Sequence, residues 1–126
     1  MEETIAMTNV KSIKAKGRKL QNIVRDKLRE TFIVKNNLYP KLEEDDIKSQ
    51  TMGMTGEDIV LSPNARLYIP YSFECKNVEK LNVWKSFKQC EDNAKDHTPI
   101  LVIKKNRENP KVVMDLNDWI KLIEKK

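Results

Sequence analysis

Histidine is nearly missing from this chain: His97 stands alone among 126 residues. A nuclease or metal cluster built on histidines has no material here, and His97, within Asp96-His97-Thr98-Pro99, reads as a loop residue. Cysteine occurs twice, as Cys75 and Cys90, in different predicted elements and without a Cys-x-x-Cys spacing. That excludes a zinc cluster and a disulfide framework and points to a reducing cytoplasm. Only three glycines are present, and no Gly-rich phosphate loop can be drawn from them, so ATP use is unsupported. Long apolar runs are missing as well. The longest are short, such as Ile100 to Ile103, and the beginning of the chain shows neither the apolar stretch nor the cleavage pattern of a signal peptide. The expectation is a protein of the cytoplasm with no membrane partner.

What the chain does have is charge. Charged residues make up 34% and hydrophobic ones 39%, which is polar for a globular protein but above the level of a disordered one. Lys and Arg number 24 against 19 Asp and Glu, giving a net charge of +5. A surplus of this sign favours a polyanionic partner. The length allows one hydrophobic core.

Residues 1–15 show no sustained periodicity and lead into the basic run Lys11, Lys14, Lys16, Arg18 and Lys19. They read as a flexible basic arm, either a solvated tail or a DNA contact, ahead of one domain over residues 16–126. Leu20, Ile23, Val24, Leu28 and Phe32 recur at helical spacing and predict a helix from Arg18 to about Val34. The segment Lys48 to Gly56 is polar and glycine-bearing, a loop that either adapts to a ligand or merely connects, with a short strand over Ile47 to Gln50. Asp58 to Leu61 and Arg66 to Lys76 have strand composition around the turn Ser62-Pro63-Asn64-Ala65, which predicts a hairpin, with Pro70 marking a bulge, an edge or a break. A helix follows over Asn82 to Lys95, then strands at Ile100 to Lys104 and Lys111 to Met114, then a helix over Asp115 to Lys126. Trp84 and Trp119 fall on the apolar stripes of these helices and read as core residues. The order predicts an α/β domain, a mixed central sheet flanked by helices.

Alternation along Ser72-Phe73-Glu74-Cys75-Lys76 puts Ser72, Glu74 and Lys76 on one face and Phe73 and Cys75 on the other. A hairpin partner beginning at Asp58 brings a second carboxylate beside Glu74, and paired carboxylate oxygens suit a hard cation such as Mg²⁺. Lys76 on the same face can orient a water or take developing charge. Spacing alone is weak, because acid-x-Lys recurs at Asp46 to Lys48 and at Glu124 to Lys126. Only the Glu74 match lies on a predicted strand that is paired upstream with an aspartate and followed by a helix and a strand. On the second helix, Asn82, Ser86, Gln89 and Asn93 recur at steps of four, three and four, an uncharged polar stripe that either borders a phosphate site or is simply solvated. Cys75 reads as a small buried side chain, since no histidine lies near it in sequence.

Asp58, then Glu74-Cys75-Lys76, then helix and strand resembles the PD-(D/E)-x-K, restriction-endonuclease-like, nuclease superfamily, and the likeness covers most of the chain. More narrowly, Gly17-Arg18-Lys19-Leu20-Gln21, Gly56-Glu57-Asp58, Phe73-Glu74-Cys75-Lys76-Asn77 and Asn82-Val83-Trp84-Lys85 resemble small bacteriophage Holliday-junction resolvases or endonucleases. The resemblance implies a restriction-endonuclease-like core, with Asp58 and Glu74 as metal ligands, the main-chain carbonyl of Cys75 as a third oxygen, and Lys76 assisting a water. It further implies Mg²⁺ as the ion, replaceable by Mn²⁺. Gln21 falls where archaeal resolvases carry a glutamate on the first helix, so it either weakens the site or binds water on the metal. Gln89 matches a glutamine that many of these nucleases carry after Glu-x-Lys. Glu57 stands where the superfamily name has proline.

Together these features predict an endonuclease hydrolysing phosphodiester bonds in branched or four-way junction DNA, acting in the bacterial host cytoplasm as a homodimer whose twofold symmetry matches paired nicks. The DNA contacts are expected at Lys14, Lys16, Arg18, Lys19, Lys48, Lys104, Lys105 and Arg107. A nuclease for flaps, forks or linear duplex, or a binding module of the same fold without cleavage, is the alternative.

Overall fold

A computed structural model describes residues 2–125 of the chain, with side chains described from Val10 to Lys125. The first helix, α1, spans Glu2–Arg29, about 42 Å at 1.5 Å per residue, and a π-helical stretch, Glu30–Lys35, continues it. It therefore begins well before the predicted Arg18. Within the expected arm, the backbone of residues 2–15 is helical, and the side chains of residues 1–9 lie outside the described ones. Leu20 and Val24 are buried one turn apart, and Leu28 and Phe32 pack behind them. Arg29 fastens the far end of the helix, donating from Nε to the Ile47 carbonyl and from Nη2 to the Glu44 carbonyl.

After a 3-10 turn at Glu44–Asp46 come β1 (Ile47–Ser49) and β2 (Ile59–Leu61), an antiparallel pair with Lys48 opposite Val60. A four-residue helix, α2 (Pro63–Arg66), leads to β3 (Tyr71–Asn77), followed by α3 (Val83–Ala94), β4 (Thr98–Lys104), β5 (Lys111–Val113) and α4 (Leu116–Glu124). The second sheet is mixed: β3 lies parallel to β4, with Glu74 opposite Leu101, and β5 runs antiparallel to β4. The mixed sheet with its packed helices is an α/β, restriction-endonuclease-like arrangement.

Two expectations change in detail. The predicted hairpin of Asp58 to Leu61 with Arg66 to Lys76 does not form as a ladder: β2 pairs with β1, and β3 with β4. The intervening Pro63-Asn64-Ala65-Arg66 is helical because Ser62, at the N-cap, accepts from the Ala65 N–H and Pro63 opens the first turn, where a missing donor costs nothing. The tryptophans are the second correction. Trp84 is 87% exposed and Trp119 48% exposed, so neither is a core residue. On α4 the whole apolar stripe of Leu116, Trp119, Ile120 and Ile123 is exposed.

The core consists mainly of Leu20, Val24, Ile47, Ile59, Phe73, Cys75, Ile100 and Val102. Phe73 and Cys75 alternate with Ser72 and Glu74 along β3, so the strand offers apolar side chains to α1 and polar ones to the other face. No helix among the described residues is long and apolar enough to cross a membrane.

Candidate active site

The free edge of β3 is where the chemistry-bearing side chains meet. Asp58, just ahead of β2, donates its N–H to the Phe73 carbonyl at 3.0 Å and accepts at its own carbonyl from the Gln50 N–H at 2.8 Å. Its side chain adds one more rung, Oδ2 accepting from the Cys75 N–H at 2.7 Å. Asp58 thus joins the two sheets and brings a carboxylate to β3 without the predicted ladder. In an extended strand a residue's N–H and C=O face the same edge, so the Cys75 carbonyl looks toward Asp58 as well.

Glu74 is buried at 5% exposure, and Lys76 Nζ lies 3.7 Å from its Oε1. The other carboxylate oxygen, Oε2, accepts from Asn93 Nδ2 of α3 at 3.5 Å. Burial raises the pKa of both acids above the ordinary carboxylate range. For Glu74 the Asp58 charge raises it further while Lys76 opposes; for Asp58 the Cys75 N–H, Lys76 and the Gln21 side chain oppose. Two acids drawn partly out of water, the charge of Asp58 raising the pKa of Glu74, favour the arrival of a cation between them.

Gln21 supplies a further oxygen. It is 5% exposed on α1, and its Oε1 is buried with no donor in reach among the described residues. Such an orphaned acceptor is costly unless something positive or a water meets it. Neighbouring residues tie α1 to this edge, Ser49 Oγ donating to Asn22 Oδ1 at 2.9 Å and Asn77 Nδ2 donating to the Lys16 carbonyl at 2.9 Å.

No group of three or more His, Cys, Asp or Glu able to hold a metal occurs among the described residues. The oxygens gathered here are two carboxylates, one amide and one strand edge, a donor set for a hard cation rather than for zinc. Thiol chemistry does not compete. Burial pushes the Cys75 thiol well up and the Cys90 thiol up to about 12, so both stay protonated at neutral pH.

The structure thus gathers Asp58, Glu74, Lys76, Cys75 and Gln21. Gln89 is not joined to them: it is exposed on α3 and makes no hydrogen bond to any of the five. The residue of that polar stripe which reaches Glu74 is Asn93, one helical turn on, a signal already present in the step-of-four spacing. Sequence reading also missed the pair of Glu57 and Arg66, which no local pattern announces.

A family model described as "Phage putative PDDEXK endonuclease" matches residues 12–126. The chain belongs to that family. Neither a curated protein nor a solved structure matches it. The phage PDDEXK endonuclease match takes in Gln21, Asp58, Glu74 and Lys76 and begins inside the expected basic arm. Membership makes the chain a nuclease in a phage context. The basic residues fall in three places: Lys14, Lys16, Arg18 and Lys19 on α1, Lys48 on β1, and Lys104, Lys105 and Arg107 at the turn between β4 and β5. None of the eight has a carboxylate within ion-pair distance among the described residues.

Proposed function

We propose that this nuclease is a divalent-metal-dependent DNA endonuclease that resolves four-way junctions, with Asp58 and Glu74 as its metal-binding acids. One observation carries the reading: the buried carboxylate of Glu74 and the partly buried one of Asp58 stand at one strand edge, both held above the ordinary carboxylate range by burial, with the unpaired Oε1 of Gln21 buried on the helix beside them. Asp58, Glu74, the Cys75 carbonyl and Gln21 would hold the ion, Mg²⁺ or in its place Mn²⁺. When bound, that ion supplies positive charge against the scissile phosphate.

The chain's own groups do the rest. Lys76, kept near Glu74, donates hydrogen bonds to an attacking water and meets charge that develops on the phosphate oxygens. Asn93 holds the second oxygen of Glu74, leaving the first to face Lys76. Lys14, Arg18 and Gln21 are spaced by four and three residues and so share one face of α1, a basic ridge that leads along the helix to the site. Phosphates on that ridge would guide the backbone toward Asp58 and Glu74.

The junction preference is supported by the sequence blocks around Gln21, Asp58, Glu74 and Asn82 and by symmetry: a homodimer presents two sites to a near-twofold junction. The test is cleavage of a labelled synthetic four-way junction beside flap and linear DNA, with Mg²⁺ and with EDTA. Metal-dependent paired nicks in the junction are expected. Equal cutting of linear duplex would remove the junction reading, and cutting in EDTA would remove the metal.

A further inference from the structure

Arg66, the last residue of α2, reaches two places at once. Its Nη2 donates to Glu57 Oε1 at 2.7 Å and to Glu57 Oε2 at 2.6 Å, while Nη1 donates to the Tyr71 carbonyl at 2.5 Å. Glu57 immediately precedes Asp58, and Tyr71 opens β3, the strand that carries Glu74. One planar guanidinium therefore ties the segment bearing the first carboxylate to the strand bearing the second. The Arg66 and Glu57 side chains are only 18% and 25% exposed, so water screens the pair far less than it screens a surface ion pair.

We propose that Glu57 and Arg66 are positioning residues for Asp58, holding its carboxylate against β3 at the separation from Glu74 that one divalent cation can bridge. The proposal rests on the metal reading above. It gives Glu57 a reason to stand where a proline stands in the superfamily's name. A proline fixes the backbone before the aspartate through its ring, and here an ion pair anchored on β3 fixes it from outside. Both oxygens of Glu57 are engaged by Arg66, which also keeps this third acid from competing for the cation.

An ion pair that served stability alone would lower the melting temperature when broken and leave Asp58 in place. The Cys75 N–H distinguishes the two, because it donates to Asp58 Oδ2 and so reports the position of that carboxylate with no metal present. The experiment compares E57A, E57Q, R66A and R66K with the parent chain. It reads the Cys75 amide shift by NMR in EDTA, and Mn²⁺ affinity by calorimetry well below each variant's melting temperature. E57A and R66A should move the Cys75 amide upfield and weaken Mn²⁺ binding about 10- to 100-fold. E57Q, which keeps an oxygen for Arg66, should show the smaller change. Folded E57A and R66A proteins with the parental Cys75 shift and the parental Mn²⁺ affinity would overturn the proposal. Should R66A fail to fold, E57Q and R66K carry the same comparison. If the parent binds no Mn²⁺ while the Cys75 amide still moves in the variants, the metal reading falls and the positioning of Asp58 stands.

Discussion

Lys76 Nζ lies 3.7 Å from Glu74 Oε1, two residues along the same strand and on the same face. The acid is buried and the amine is 29% exposed, so the pair spans the boundary between core and solvent at the point where a phosphate would arrive. Charge removal at the acids and at the lysine should therefore have different signatures.

Asp58→Asn and Glu74→Gln should each abolish cleavage while leaving DNA binding within about twofold, since the basic ridge is untouched. Lys76→Ala should lower single-turnover cleavage by about 100-fold or more while Mn²⁺ still binds. Nicking and gel-shift assays on one junction check all three. Full activity in either acid variant would eliminate the site.

The raised pKa values set a pH dependence in the absence of metal. A carboxyl whose folded pKa lies above its unfolded value contributes stability that is fully present below the unfolded pKa, about 4, and lost as pH rises through the folded value. Urea unfolding in EDTA should show stability declining above that pH. Asp58→Asn should flatten the decline, and Mg²⁺ should reverse it in the parent. Asp46 has the opposite sign: the Glu43 N–H and then the Ser62 hydroxyl lower its pKa, so its contribution is present above the unfolded value and fades as pH falls through the folded one. A parent curve in EDTA that stays level from mildly acidic to neutral pH would contradict the burial of the two acids.

Lys14 and Arg18 share the face of α1 that leads to Gln21. Replacing either with alanine should reduce the slope of log affinity against log salt by roughly one and weaken all sequences alike. Fluorescence anisotropy across a salt series measures the slope. An unchanged slope in both variants would place the DNA elsewhere.

Gly56 has a φ of 97° two residues before Asp58. Gly56→Ala should cost about 1–2 kcal/mol in chemical denaturation, because an L side chain is strained there. Any shift in that turn is passed to Asp58, so activity should fall further than stability alone accounts for. A fully stable and fully active Gly56→Ala protein would show that the turn adapts freely.

Much of this arrangement is written in local pattern. Alternation along β3 separates Glu74 and Lys76 from Phe73 and Cys75, and Asn82 and Asp115 cap the helices that follow them, as their side chains and positions suggest. Strand partnership is not local. β2 and β3 both have strand composition, but β3 finds its partner across α3, where parallel pairing with β4 buries both Phe73 and Ile100. The helical backbone of residues 2–15 lacks the apolar period that would have announced it. Arg66 and Glu57 meet only because α2 turns the chain back, and the reach of Asn93 to Glu74 depends on how α3 lies over the sheet.

Asp58 also guards an open sheet margin. Outside β4, the Phe73 carbonyl and the Cys75 N–H are taken up by this one residue, through its N–H and its carboxylate. A residue without an oxygen at that point would leave the Cys75 N–H unsatisfied on an edge able to recruit a strand from another molecule. Asparagine keeps the margin closed and alanine opens it, so a catalytically dead protein meant for structural work should carry the amide. The alanine form risks self-association for reasons unrelated to catalysis.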